Sequence, residues 1–264
     1  MIKHYLTVAF RNIFRNKVFS LITTVGLSIG IATFVLIMLW VMDELSYDQF
    51  HANIDQMYCI IEKQEYSDGN ELHTNNTPFA LREELLANYP QVENASRTLW
   101  MGDRPFSYKE KVLTTGPIAF VDPEFLEVFT FDLLKGDPEA LNEPGKILVT
   151  EEVVQSFFED EDPIGRTLKM DGQHEFEIGG VLKNVPDNST FQFNILVPFV
   201  QMEKLFERDI NSWGNNWPRT TIVLKKDVRP KEFESQIANL CKEHGQENIL
   251  ALLLWPKVLF RLKQ

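Results

Sequence analysis

Catalysis or metal binding needs reactive side chains gathered at one place, and in this sequence they are scattered. The five histidines, His4, His51, His73, His174 and His244, show no metal-ligand spacing, and each reads as a surface histidine. Gly145-Lys146 has the look of the end of a phosphate-binding loop. The upstream glycine and the following hydroxyl are missing, so ATP is not expected to bind by that route. There is no G-x-S-x-G elbow, and neither Cys59 nor Cys241 lies in a nucleophile signature. The acidic run Asp160-Glu161-Asp162 sits in a turn and reads as a solvated face. Trp100, Trp213, Trp217 and Trp255 could line a groove, but core or membrane-interface packing is the simpler reading. The expectation is a protein that is not an enzyme and holds no metal and no cofactor.

Helix association in lipid has a clearer pattern. Thr23, Gly26, Gly30 and Thr33 are spaced by three, four and three residues, so they share one helical face, with Gly26 and Gly30 forming a G-x-x-x-G pair. Small residues let two backbones approach closely, a main source of association between helices in a membrane. The element that positions this face is residues 18–42, a stretch of 25 residues without a charge. At about 1.5 Å per residue such a helix reaches roughly 37 Å, enough to cross a hydrocarbon core of about 30 Å with some tilt. A secretory signal would have a shorter core and a small-residue cleavage site. Here the apolar run continues into Trp40-Val41-Met42-Asp43-Glu44, so a retained anchor is expected.

The charge splits at this anchor. Residues 1–17 carry Lys3, Arg11, Arg15 and Lys17 and no acid, while residues 43–264 hold 22 basic and 38 acidic side chains. Positive flanks stay on the cytoplasmic side. The N-terminus is therefore expected inside and the acidic remainder outside, in the periplasm of a bacterial inner membrane. A net charge of −12 argues against nucleic acid as a partner. Both cysteines fall on the exported side, where a disulfide is permitted; a bridge and two separately packed thiols are both open.

Residues 2–16 place Ile2, Tyr5, Leu6, Ala9, Phe10, Ile13 and Phe14 on one stripe, as in a basic amphipathic helix lying in the headgroup region. Beyond the anchor, residues 57–61 read as a first strand. Thr77-Pro78 reads as the cap and first turn of a helix to about Asn88, and residues 92–100 as a second strand. Residues 103–186 change texture, with short strands, many turns and acid-rich loops, as in an inserted β-rich subdomain. Within them, Thr150 is expected to cap a helix over 151–158 and Asp171-Gly172 to turn a hairpin. Alternation at Phe191, Phe193 and Ile195 predicts a half-buried strand, and residues 220–225 another. Pro230 opens a helix to His244, and residues 248–255 form a last strand. Strand-helix-strand, insertion, strand-helix-strand is an α+β plan.

Several segments resemble the MacB/FtsX-like ABC transporter permeases. They are Ala9-Phe10-Arg11-Asn12-Ile13 with Arg15-Asn16-Lys17, Val121-Asp122-Pro123-Glu124-Phe125, Leu134-Lys135-Gly136-Asp137-Pro138 and Val149-Thr150-Glu151. Asp162-Pro163-Ile164-Gly165-Arg166, Ile178-Gly179-Gly180-Val181 and Val185-Pro186 complete the set, with the Asp162–Gly165 turn among the most specific. The resemblance implies a cytoplasmic helix (1–17), a transmembrane helix (18–42), a membrane-proximal lobe (43–102 and 187–264) and an inserted lobe (103–186). It implies a permease dimer, a cytoplasmic ABC ATPase subunit, a periplasmic adaptor, and an exported domain that relays ATP-driven motion in lipoprotein, peptide or antibiotic efflux. Family members carry three further transmembrane helices, so this chain corresponds to the N-terminal half. A single-pass anchored periplasmic ligand-binding or sensor domain is the alternative.

Overall fold

The structure, a computed structural model, describes residues 11, 15–65, 69–159 and 161–256. The expected amphipathic helix over 2–16 and His4 lie largely or wholly outside the described residues. The chain divides after Tyr47 into two compact units.

The first unit is α1, Lys17–Ser46, a helix of 30 residues, about 45 Å long. Its apolar side chains are exposed all the way round, Phe19, Ile22, Leu27, Phe34, Leu36 and Trp40 among them. A helix apolar on every face needs an apolar surrounding. Among the described residues it is the one helix long and apolar enough to cross a membrane.

The second unit begins with β1 (Met57–Glu65), β2 (Glu71–Thr74), α2 (Leu81–Asn88) and β3 (Val92–Tyr108). Then come β4 (Lys111–Val121), α3 (Phe125–Val128), β5 (Leu133–Gly136), β6 (Lys146–Thr150) and α4 (Glu151–Phe158). β7 (Thr167–Met170), β8 (His174–Leu182), β9 (Ile195–Pro198) and α5 (Gln201–Phe206) follow, and then β10 (Arg219–Leu224), α6 (Pro230–Ile237), α7 (Leu240–Glu243) and β11 (Ile249–Pro256).

Four of these strands form an antiparallel sheet in the order β11-β1-β10-β3. With α2 between β1 and β3, and α6 and α7 between β10 and β11, this is a split β-α-β-β-α-β unit. Ile60, Ile222 and Leu252 on one sheet face pack against Leu81, Leu85, Phe233, Ile237 and Leu240 of the helices. The free edge of β11 is covered by the same helices: Leu252 N donates to Ala238 O at 3.1 Å and Leu254 N to Glu234 Oε2 at 2.6 Å. This matters because an open strand edge invites pairing with another chain.

The remaining strands build a different object. β3 pairs with β4, β4 with β9, β9 with β6, β6 with β8, β8 with β7, and β7 returns to β3. The six strands therefore close a ring. Closure turns alternate side chains inward, and Phe106, Ile118, Phe120, Ile147, Val149, Leu168, Met170, Phe176, Ile178, Ile195 and Val197 fill one buried core. The outward residues of the same strands, Ala119, Val121, Leu148, Leu182 and Leu196, are covered by a second layer that includes Phe125, Phe129, Phe131, Phe191 and Phe193. β9 lies beyond residue 186, the expected end of the insert, yet its register puts it in the ring.

Several local expectations change. β3 continues to Tyr108 and pairs with β4, a strand not anticipated, across bulges near Trp100 and Asp103. Thr77 does not cap α2; its hydroxyl lies 3.0 Å from Pro218 O and 2.7 Å from Thr220 Oγ1, and the helix starts after Ala80. Thr150 precedes α4 without a side-chain cap; Asn184 Oδ1 accepts from Glu152 N at 2.9 Å instead. Phe191 and Phe193 are buried, but only Ile195 of that trio lies in a strand. The helix expected from Pro230 to His244 breaks between α6 and α7, where Ala238 O is spent on the edge strand. His51 is a buried residue rather than a surface one, with its ring edge-on to Phe129 and Phe131. Cys59 and Cys241 are both buried and do not form a disulfide; Cys59 packs with Ile61, Leu253 and Trp255, whereas Cys241 packs among the helix-side residues.

Candidate functional site

The stripe Thr23, Gly26, Gly30 and Thr33 lies on α1. A side chain added at Gly26 or Gly30 would meet nothing within 4 Å, so this strip of backbone is open to a neighbour. The Thr23 hydroxyl bonds back to Phe19 O at 2.9 Å, which satisfies it inside the helix.

Asp162, Pro163, Ile164 and Gly165 form a tight turn that leads into β7. Asp162 Oδ1 accepts from Ile164 N at 3.1 Å and its other oxygen pairs with Lys135 at 2.8 Å, holding its carboxyl below the usual range. Gly165 takes φ +75°, a left-handed conformation that suits glycine, and its N–H reaches Ile178 O at 2.9 Å. The glycine strand at β8 meets the same place. Asp137 N donates to Gly179 O at 3.0 Å, and a Cβ on Gly136 would sit 2.3 Å from that carbonyl oxygen. Three segments far apart in sequence thus interlock at the middle of β8, and their small residues serve close backbone contact.

The strongest polar constellation joins the sheet to the ring. Arg97, on β3, donates from Nε and Nη2 to the two oxygens of Asp122 at 3.0 and 2.7 Å, and its backbone N–H donates to Asp122 Oδ2 at 2.6 Å. Its Nη1 reaches Phe79 O at 2.7 Å and Ile210 O at 3.1 Å, and the guanidinium lies 4.2 Å from the centre of the Phe199 ring. Arg82, on α2, places Nε 3.3 Å from Asp122 and also pairs with Glu83 and Glu124. Arg82, Arg97 and Asp122 are only 6%, 3% and 2% exposed. Burial works against the Arg82 charge, but Asp122, Glu83 and Glu124 outweigh it and raise its pKa.

Bidentate pairing of a guanidinium with a carboxylate fixes angle as well as distance. The network therefore clamps α2, the middle of β3 and the end of β4. Asp122 and Glu124 lie in the segment Val121–Phe125 singled out above, whereas Arg82 and Arg97 were not. The available signal was an arginine set among half-apolar neighbours in each of two elements.

The tryptophans are divided. Trp100 and Trp217 line a cleft of about 310 Å³ with Asn76, Thr98, Leu99 and Arg219. Trp213 stacks on His244 at 3.8 Å, and Trp255 packs against Cys59 and Ile61.

The comparisons with known proteins agree with this architecture. No curated protein matches the sequence. Among solved structures, a domain of a protein named as a permease from Porphyromonas gingivalis superposes with a TM-score of 0.69 at 21% identity, covering 79% of this chain and 92% of that one. The periplasmic region of MacB from Actinobacillus actinomycetemcomitans gives 0.59 at 14% identity, covering 80% and 94%. The extracellular domain of the noncanonic ABC-type transporter YknZ from Gram-positive bacteria gives 0.56 at 14% identity, covering 75% and 99%. At these identities the likeness is one of fold. The family model of the MacB-like periplasmic core domain matches residues 20–240, well over half the sequence, and the chain belongs to that family.

Proposed function

We propose that the chain is the N-terminal, membrane-anchored part of an ABC-type permease that serves export or lipoprotein, peptide or antibiotic efflux. The observation that carries this reading is one apolar helix, α1, followed by a MacB-type periplasmic core domain. Family members work with ABC ATPases in membranes, and a cytoplasmic ATPase subunit and a second permease are the partners we assign. A periplasmic adaptor completes the assembly. The N-terminus lies in the cytoplasm and residues 48–264 in the periplasm of the inner membrane.

The split sheet and the strand ring are assigned as the membrane-proximal and inserted lobes. Motion started by ATP passes to the exported domain, and the Arg82–Arg97–Asp122 clamp makes sheet and ring move as one. The Gly26–Gly30 face of α1 is the surface assigned to a neighbouring membrane helix.

The test is site-directed crosslinking in membranes. Cysteine at position 26 or 30 is expected to crosslink to a permease helix, and solubilised complexes are expected to contain an ABC ATPase subunit identified by mass spectrometry. Gly26→Leu with Gly30→Leu should abolish both while the exported domain stays folded. Unchanged recovery of the ATPase with the double variant would overturn the assignment of this face; absence of any ATPase from the wild-type complex would overturn the transporter reading.

A further inference from the structure

The four-stranded sheet contains a carboxylate that the architecture does not require. Glu62, at the middle of β1, is fully buried. Its register partners are Thr74 on β2 and Leu252 on β11, both uncharged. Gln64 Nε2 donates to Oε2 at 2.6 Å, and Asn216 Nδ2 reaches Oε1 at 3.0 Å and Oε2 at 2.8 Å. No ion pair reaches it among the described residues.

The charged and titratable groups nearby are engaged elsewhere. Lys63, on the other face of β1, pairs with Glu71 at 2.8 Å. On α2, Arg82 pairs with Glu83 and Glu84 accepts from Asn88. On α6, Glu234 accepts from Leu254 N, and beyond α7 His244 stacks on Trp213. The Cys241 thiol of α7 does feel Glu62: burial, then the charge of Glu62, pushes its pKa up.

Asn216 is the link to the rest of the domain. It forms a β-bridge with Pro78, next to Phe79, whose N–H donates to Asn215 O at 3.1 Å and whose carbonyl receives Arg97. Asn216 Oδ1 is buried and lacks a hydrogen-bond partner among the described residues. An ionised carboxylate only accepts, so it holds the amide by its NH₂ group; a protonated one carries an O–H that needs an acceptor. Turning the Asn216 amide over would supply that acceptor and carry its NH₂ to the place where Oδ1 now lies.

We propose that Glu62 is a proton-operated latch on the loops that lead into α2 and β10, acting through the orientation of the Asn216 amide. Burial raises the Glu62 carboxyl to about 7, against the smaller lowering effects of Gln64 and Asn216. The folded state therefore holds the proton more tightly than the unfolded chain, whose glutamates titrate at about 4.3. Stability from this group is complete below about pH 4 and falls as pH rises to about 7. The loops change state as the pH passes about 7.

Chemical denaturation of the full chain in detergent, compared with Glu62→Gln between pH 5 and 8, tests this. The wild-type unfolding constant is expected to rise about tenfold per pH unit relative to the variant up to about pH 7, and then level off. Hydrogen exchange in peptides covering residues 74–79 and 212–218, corrected for intrinsic rates, should step near pH 7 in the wild type only. Parallel curves for the two proteins would overturn the proposal. Should Glu62→Gln fail to fold, Asn216→Ala decides: without the amide that carries the signal the exchange step near pH 7 must disappear, and a step retained in those peptides is fatal to the latch.

Discussion

In the four-stranded sheet, β1 carries an ionisable side chain at its buried centre, whereas the six-stranded ring turns Ile118, Phe120, Ile147, Val149, Phe176 and Ile195 inward. The two regions share β3 and are covalently continuous, yet they hold polar groups differently. The ring has no open edge between its six strands and an apolar interior, which leaves few alternative arrangements of similar energy. The sheet has edges to protect, and its buried polar groups Glu62 on β1 and Thr220 on β10 contact Asn216 and Thr77 in the loops that reach the clamp. A closed apolar ring suits a rigid body; a sheet with a titratable centre suits the side where conformation is adjusted.

The largest expected effect lies at the seam. Arg97→Ala leaves Asp122 buried with its main partner removed, a change that costs about 3–5 kcal/mol. Denaturation of the full chain in detergent measures it. If the seam joins two bodies that also fold separately, the variant should split one transition into two; a single shifted transition makes sheet and ring one cooperative unit. Replacing both partners, Arg97→Met with Asp122→Leu, should recover much of the loss, since a matched apolar pair is often as stable as a buried ion pair.

At the edge of the ring, where β5 pairs with β8, Gly136→Ala places a methyl group against Gly179 O at a left-handed φ of +98°. Overpacking of this kind costs about 1–3 kcal/mol, and hydrogen exchange should speed up in β5 and β8 ahead of β1. Equal acceleration in both regions would erase the distinction drawn between them. The smallest effect belongs to the rim. Lys135→Ala removes an exposed ion pair with Asp162, and exposed pairs contribute little, so the denaturation midpoint should not move. A clear shift would mean that the Asp162–Gly165 turn is held by charge rather than by its backbone bonds to Ile178.

Much of the β-α-β-β-α-β half was legible from residue order. The β-favouring stretch Met57–Ile61, the apolar run Ile249–Trp255 and the helical spacing of Phe233, Ile237 and Leu240 are short-range patterns that need no knowledge of neighbours. β4 was not legible, because Gly116 and Pro117 interrupt it. In the folded protein Gly116 makes room for Asn194, and Pro117 uses its carbonyl to accept from Asn194 N at 2.8 Å. The capping of α4 by Asn184, 34 residues beyond Thr150, was equally out of reach of local rules.

By itself the sequence determined the long apolar helix, because length without charge is a property of residues 18–42 alone; the basic flank sets an expectation of its direction. The sequence also determined the α+β order of elements and, through residues at turns and close glycine contacts, a family likeness that the residue 20–240 match bears out. Only the tertiary structure decided that six strands close into a ring, that Arg82 and Arg97 converge on Asp122, and that Glu62 is buried against Asn216. Each of these depends on pairing between segments tens of residues apart. A charge reads as solvated until long-range packing takes the water away.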